Sequence, residues 1–426
     1  MAMSEWPLYL SRKNRTVLVR VPRTASFLAD RDLHDMCDNL QAGAIGTQLK
    51  HLRRSEQGRD QWLTATIKLG AEDAEYRLYR AVEVFECLRI FAWNHNGNWH
   101  SAVLPTREAV ARGRIQAVRP SSSGFFCSRF LISTRGLEIW VHHSVADLLT
   151  INAIALFVSS GASFSSACDE SEILQPSELA RAQTTARARS TTEYWQEFHA
   201  SPRWVGRDVR ATTYRTENWS GSLRIPNRPA YGRLAADSGV SVPSLLMAEC
   251  TRIAADLCAI SAPTVMTVFS NATILRGRKP GACLADDVSF VAPDPAGVRR
   301  PEYWSGFHRK VMVAYLNGLY DFAELETAGN YVSLEPNFYR DVTIFVFDAR
   351  SSEVTSGSAE SAPFEISVVP GQPDVASHGA LVLSLLHFQI TITSTEIAVR
   401  CTSRLDKWMV ESALSALSRA LDGYIS

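Results

Sequence analysis

The sequence predicts an α+β protein made of two halves of similar α+β or sandwich-like build. Its 426 residues suit two domains of about 200 residues each. Strand-like and helix-like stretches are interleaved in both halves, and the second half closes on a strand, a hairpin and an amphipathic helix in the style of the first. An apolar fraction of 46% is ample for packed cores.

In the first half, residues 16–21 (Thr-Val-Leu-Val-Arg-Val) form a β-branched run that predicts a strand, and a helical pattern covers 30–40. Residues 62–69 alternate apolar and polar, as a half-buried strand does. Over 71–89, Tyr76, Leu78, Tyr79, Val82, Phe85 and Leu88 recur near helical spacing. Two strand-like runs, 89–93 and 98–104, flank Asn96-Gly97, a strong short-range hairpin signal. Residues 124–133 and 137–142 are strand-like, with Thr134-Arg135-Gly136 as the turn, and 146–158 is a helix. The character then changes to Gly, Ser, Asp and Glu, followed by an Arg/Ala-rich stretch. This places a first subdomain at 1–170, a linker at 171–190 and a second subdomain at 191–426.

The second half starts with a short amphipathic helix over 192–199. A helix is expected over 242–258, with Ser241 or Ser244 as its cap. A buried strand follows over 263–270, a helix over 302–317 and a strand over 341–347. Residues 351–363, rich in Ser and Glu, predict a flexible loop. Residues 380–392 and 395–402 pair around Thr393-Ser394, and 405–424 is an amphipathic helix.

Composition excludes several classes. Formal net charge is +0, from 44 basic and 44 acidic residues, which argues against nucleic acid or an anionic membrane as main partner. No stretch approaches 18 uninterrupted apolar residues, so no membrane span is expected. The start lacks a basic region followed by an apolar run, so no signal peptide is expected. The eight cysteines show no C-x-x-C pair and suggest reduced thiols in a cytoplasmic protein.

The stretch with chemical content is His142-His143-Ser144-Val145-Ala146-Asp147-Leu148. A neutral imidazole suits proton transfer near pH 7. On an extended backbone successive side chains point to opposite faces, so one ring of the pair can face a cavity while the other is buried. Asp147 can accept from a backbone N–H or pair with an arginine. The alternative is two core or surface histidines at a strand end, with Asp147 capping the next helix. No metal site is expected, because no other His, Cys, Asp or Glu cluster lies nearby at ligand spacing.

The same residues resemble the HHxxxDG signature of the condensation-domain superfamily of nonribosomal peptide synthesis. Glu86-Cys87-Leu88-Arg89, followed by Asn96-Gly97 and Trp99, resembles that family's RHExLRTxF segment and the hairpin after it. Glu193-Tyr194-Trp195 is similar to the helix that opens the family's second half. The likeness covers nearly the whole chain. Leu148 stands where the family has Gly, and Val84 and Phe85 stand where it has Arg-His. The Asp-Phe-Gly-Trp motif of plant BAHD acyltransferases is absent from the sequence.

The resemblance implies two chloramphenicol-acetyltransferase-like subdomains, each a mixed sheet with helices, arranged as a V around a central tunnel. It implies a free-standing acyltransferase of natural-product or antibiotic biosynthesis, a nonribosomal peptide synthetase condensation enzyme. Such an enzyme joins an acyl or aminoacyl group from a carrier-protein thioester to an amine. No cofactor would be bound; the phosphopantetheine thioester arrives on an acyl- or peptidyl-carrier protein. His143 would be the base, His142 mostly structural, Asp147 a structural acid paired with Arg89, and the Leu148 N–H the oxyanion donor. Two further readings stay open: ester formation with an alcohol from a carrier or CoA donor, and a catalytically silent domain that recruits a partner.

Other candidates carry less. Arg276-Gly277-Arg278-Lys279 suggests a solvated basic loop, Asp286-Asp287 a turn, and His387 a core residue on a buried strand.

Overall fold

Local sequence forms most of the elements, and long-range pairing sorts them into sheets. The computed structural model describes residues 8–12, 15–19, 46–56, 61–95, 98–115, 124–134, 136–160, 170–183, 185–200, 219–226, 228–320, 340–348, 364–370, 384–393, 395–403 and 405–425. The helix expected over 30–40 and the loop expected over 351–363 lie outside these residues.

The first described elements are a hairpin of β1 (Leu8–Arg12) and β2 (Arg15–Val19), helix α1 (Gly46–Glu56) and strand β3 (Gln61–Ile67). Helix α2 (Ala71–Val84) is shorter than its apolar spacing predicts. Phe85 is extended, and Glu86–Arg89 form a 3-10 turn. The reason is a side chain from far along the chain. Gln175 Nε2 donates to the Val84 carbonyl, and its Oε1 accepts from Glu86 N–H, so groups that would continue the helix are satisfied elsewhere.

Strands β4 (Ile90–His95) and β5 (Asn98–Val103) make the expected hairpin, and α3 (Thr106–Ile115) follows. The single strand expected over 124–133 is two, β6 (Gly124–Phe126) and β7 (Ser128–Ser133). Cys127 turns the chain from one sheet to the other: its N–H bonds Ile90 O and its carbonyl accepts from His142 N–H. Strand β8 (Gly136–His142) starts at a glycine with φ +125, where any side chain would collide with the Ile67 carbonyl. Helix α4 (Leu148–Ser159) packs on β3, so that strand is buried on both faces at its centre rather than half-buried.

The stretch 171–190 is not a plain linker. It holds β9 (Ile173–Leu174), α5 (Pro176–Gln183) and the start of α6 (Ala186–Ala200). Then come β10 (Trp219–Ile225), α7 (Arg228–Asp237) and α8 (Val242–Cys258), whose cap is Ser241 accepting from Ser244 N–H. Next are β11 (Thr264–Ser270), β12 (Lys279–Pro280), β13 (Ala285–Val291) and α9 (Arg300–Leu316). The last elements are β14 (Arg340–Asp348), β15 (Phe364–Pro370), β16 (Ser384–Ile392), β17 (Ile397–Ser403) and α10 (Lys407–Ile425). Asp286-Asp287, expected in a turn, stand on β13.

The second half is a six-stranded sheet in the order β10-β17-β16-β14-β11-β13, with parallel pairs β11–β14 and β14–β16. Helices α8, α9 and α10 cover one face. Residues 264–270, expected to be a buried strand, therefore alternate in burial over 264–267 and are half-buried over 268–270. The first half has a four-stranded sheet, β15-β3-β8-β7, and a three-stranded one, β5-β4-β6. Strand β15 comes from the second half of the chain and pairs antiparallel with β3, Phe364 opposite Ile67. The parallel pair β9–β12 is a second link between the halves. Among the described residues, no helix is long and apolar enough to cross a membrane.

Candidate active site

The site begins where β8 ends. Trp62 of β3 pairs with His142, and His143 N–H extends the ladder by bonding Gln61 O at 2.9 Å. The chain then turns, with Val145 N–H donating to His142 O. The two imidazoles part here. His142 is 1% exposed, with its ring edge-on to Trp62 and Phe125 at 5.2 and 5.0 Å. His143 is only half-buried.

Hydrogen-bond partners assign both tautomers. His142 Nδ1 accepts from Ser144 N–H at 3.2 Å, so its Nε2–H faces Ser55 Oγ at 3.0 Å. The Ser55 hydroxyl in turn donates to His51 O at 3.1 Å. His142 therefore ties the turn after β8 to α1. His143 Nδ1 lies 2.8 Å from the Ala146 carbonyl, which can only accept. Nδ1 carries the proton, and in the neutral ring the lone pair is on Nε2.

Asp147 is the N-cap of α4 and is 4% exposed. Its Oδ1 accepts from Thr150 N–H and its Oδ2 from Leu284 N–H, both at 2.9 Å. Burial pushes its pKa above the usual carboxylate range, against the pull of those amides. The expected pairing with Arg89 is not formed. Two backbone amides occupy the carboxylate, and Arg89 lies at the end of the 3-10 turn, near enough for its charge to act on Cys87. The neighbouring Glu86 accepts from Ser177 N–H at 2.9 Å and so starts α5.

Leu148 is the first residue of α4, and it is not among the residues with positive φ. A helical position does not need glycine, which is why leucine is accommodated where the resemblance places Gly. The first N–H groups of a helix have no intrahelical acceptor. Asp147 takes the Thr150 N–H, and among the described residues the Leu148 N–H has no acceptor.

Tertiary structure adds residues with no local signal. Helix α1 brings the His51 ring to 4.4 Å from the His143 ring, centroid to centroid. On the same helix, Lys50 is 1% exposed and reaches Asp286 Oδ1 at 3.1 Å and Asp287 Oδ2 at 3.6 Å. Gln48 accepts from the Ser101 hydroxyl. From the second half, the segment before β13 puts Cys283 Sγ 4.0 Å from His143 Nδ1. Two bonds hold that segment: the Thr150 hydroxyl donates to Ala282 O at 2.6 Å, and Leu284 N–H donates to Asp147. A cavity of about 10 Å³ adjoins, lined by Gln48, Ser144, Leu179, Gln183 and Cys283. It has room for about one water.

The remaining sequence candidates are structural here. Arg278 pairs with Glu178 at 3.0 Å and Lys279 with Glu172 at 3.5 Å, fastening 170–183 to the second half. Trp195 Nε1 donates to Asn317 O. His387 is 6% exposed and edge-on to Phe345, and burial pushes its pKa down to about 4.

No protein-family model matches the sequence, and no curated protein does. Solved structures do match. The condensation domain from the monacolin K polyketide synthase superposes with a TM-score of 0.65 at 12% identity, covering 91% of this chain and 98% of that one. The PapA2 acyl transferase gives 0.62 at 11% identity, covering 92% and 94%. The X-domain from teicoplanin biosynthesis, in its complex with OxyB, gives 0.60 at 15%, covering 90% and 93%. The chain has the condensation-domain fold, with two subdomains of mixed sheet and helix.

Proposed function

We propose that this chain is an acyltransferase that moves an acyl or aminoacyl group from a carrier-borne phosphopantetheine thioester to an amine. One observation carries the reading: the Ala146 carbonyl holds His143 Nδ1–H and leaves Nε2 as a proton acceptor on a half-buried ring. The condensation-domain fold supports it.

The reaction follows from that tautomer. The amine nitrogen bonds to the thioester carbonyl carbon, and His143 Nε2 takes its proton as the tetrahedral intermediate forms. The carbonyl oxygen becomes negative, and the Leu148 N–H at the positive end of α4 is the donor available to it. Collapse breaks the carbon–sulfur bond, and the sulfur leaves as a thiol with the proton that His143 returns. The acyl group has moved from S to N and one proton from N to S. A positioned base contributes about 10²–10⁴-fold, and one oxyanion donor about 10²–10³-fold. His142 and Asp147 shape the turn and touch no reacting atom.

The test mixes the full chain with an acyl-loaded carrier protein and a panel of amines and alcohols, beside His143→Ala, and follows intact masses. Acyl loss from the carrier with a matching amide, absent in the variant, supports the proposal. An ester instead reassigns the acceptor to an alcohol. Transfer from acyl-CoA alone reassigns the donor. No transfer to any acceptor, with carrier or partner binding retained, overturns catalysis in favour of a recruiting domain.

A further inference from the structure

We propose that His51, His143 and Cys283 form a zinc-binding site that switches off the catalytic base. One ligand atom from each of the three residues lies within 4.8 Å of the others. Imidazole nitrogen and cysteine sulfur are both zinc donors, and three protein ligands leave the fourth tetrahedral position open. Zinc–nitrogen and zinc–sulfur bonds of about 2.0–2.3 Å place tetrahedral donors about 3.4–3.6 Å apart, so side-chain shifts of about 1 Å close the site.

The donors come from three elements that are already fixed. His51 is on α1, which the buried Lys50–Asp286 pair holds against the second half. His143 is held by Ala146 O. Cys283 sits between the two bonds that Ala282 and Leu284 make with the start of α4. The small cavity that Cys283 lines has room for about one water beside that ligand. Burial, together with the Asp147 and Asp286 carboxylates, holds the Cys283 thiol protonated, while the Lys50 cation acts the other way. A bound zinc reverses that balance, since a coordinating thiol loses its proton. The step is zinc plus thiol giving zinc thiolate and one released proton.

The consequence for catalysis is the same through either ring nitrogen. Zinc on His143 Nε2 occupies the lone pair that takes the nucleophile's proton. Zinc on Nδ1, the atom 4.0 Å from Cys283 Sγ, breaks the bond to Ala146 O and moves the ring proton to Nε2. This consequence, unlike binding itself, rests on His143 being the base.

The test separates the two. The full chain, stripped with chelator, is titrated with cobalt(II) and, separately, equilibrated with zinc chloride. Expected are uptake of a single equivalent, a thiolate-to-cobalt charge-transfer band in the near ultraviolet, and release of a proton. Cys283→Ser removes the charge-transfer band, and His51→Gln weakens zinc by more than about 100-fold, since changes outside the ligand shell alone cost 10–100-fold. Circular dichroism checks that each variant is folded. No uptake by the wild type, or equal uptake and an unchanged band in both folded variants, overturns the site whether or not transfer is ever detected. Where transfer is detected, zinc abolishes it in the wild type. Undiminished transfer by the zinc-loaded protein overturns the switch.

Discussion

Replacing Asp147 by alanine removes a side chain that closes both the start of α4 and the seam between the halves. Two backbone N–H groups lose their acceptor. The Thr150 N–H loses an N-cap, which is worth about 1 kcal/mol. The Leu284 N–H is left buried without its partner, which costs about 1–3 kcal/mol. The sum is about 2–4 kcal/mol, toward the lower end because the variant no longer buries a carboxylate. Asp147→Asn keeps one carbonyl oxygen, enough for one of the two amides, and is expected to lose about half as much. Urea unfolding followed by circular dichroism measures the loss as a shift in midpoint at constant slope. A variant within about 0.5 kcal/mol of wild type, the range of an uninvolved surface site, would refute the reasoning. The same substitution is expected to lower transfer as well, because Leu284 and Asp147 position the turn that carries His143.

Two other perturbations follow from buried charge. Lys50→Met removes the buried cation shared by Asp286 and Asp287, at a cost of about 3–5 kcal/mol in the same unfolding assay; an unchanged midpoint would show that the pair does not hold α1 to β13. For His387, the folded pKa near 4 lies below its usual 6.5, so the unfolded chain binds more protons between those values. That contribution is fully present above pH 6.5 and is lost as pH falls toward 4, by about 3 kcal/mol in all. His387→Leu is expected to flatten stability over that window, and an unaltered pH profile would count against it.

What the residues show before folding is what local physics controls. The Asn-Gly hairpin, the Ser241 cap of α8 and the α10 helix were legible because turn geometry, capping and apolar period act within a few residues. The His142-His143 pair at a strand end, followed by a helix starting at Asp147, was legible for the same reason. Arg89 was misassigned because an acid's partner is not a local property. Asp147 is met by a backbone amide from residue 284, which carries no side-chain signal.

By itself, then, the sequence determined the α+β class, most elements and a histidine pair at a strand end before a helix that starts at Asp147. Tertiary structure alone decided that Cys127 divides a strand between two sheets and that β15 crosses into the first half's sheet. It alone brought His51, Lys50 and Cys283 to the His143 turn. The physical reason is that burial and unsatisfied backbone groups select partners by proximity in the packed chain, and no spacing in the linear sequence encodes that proximity.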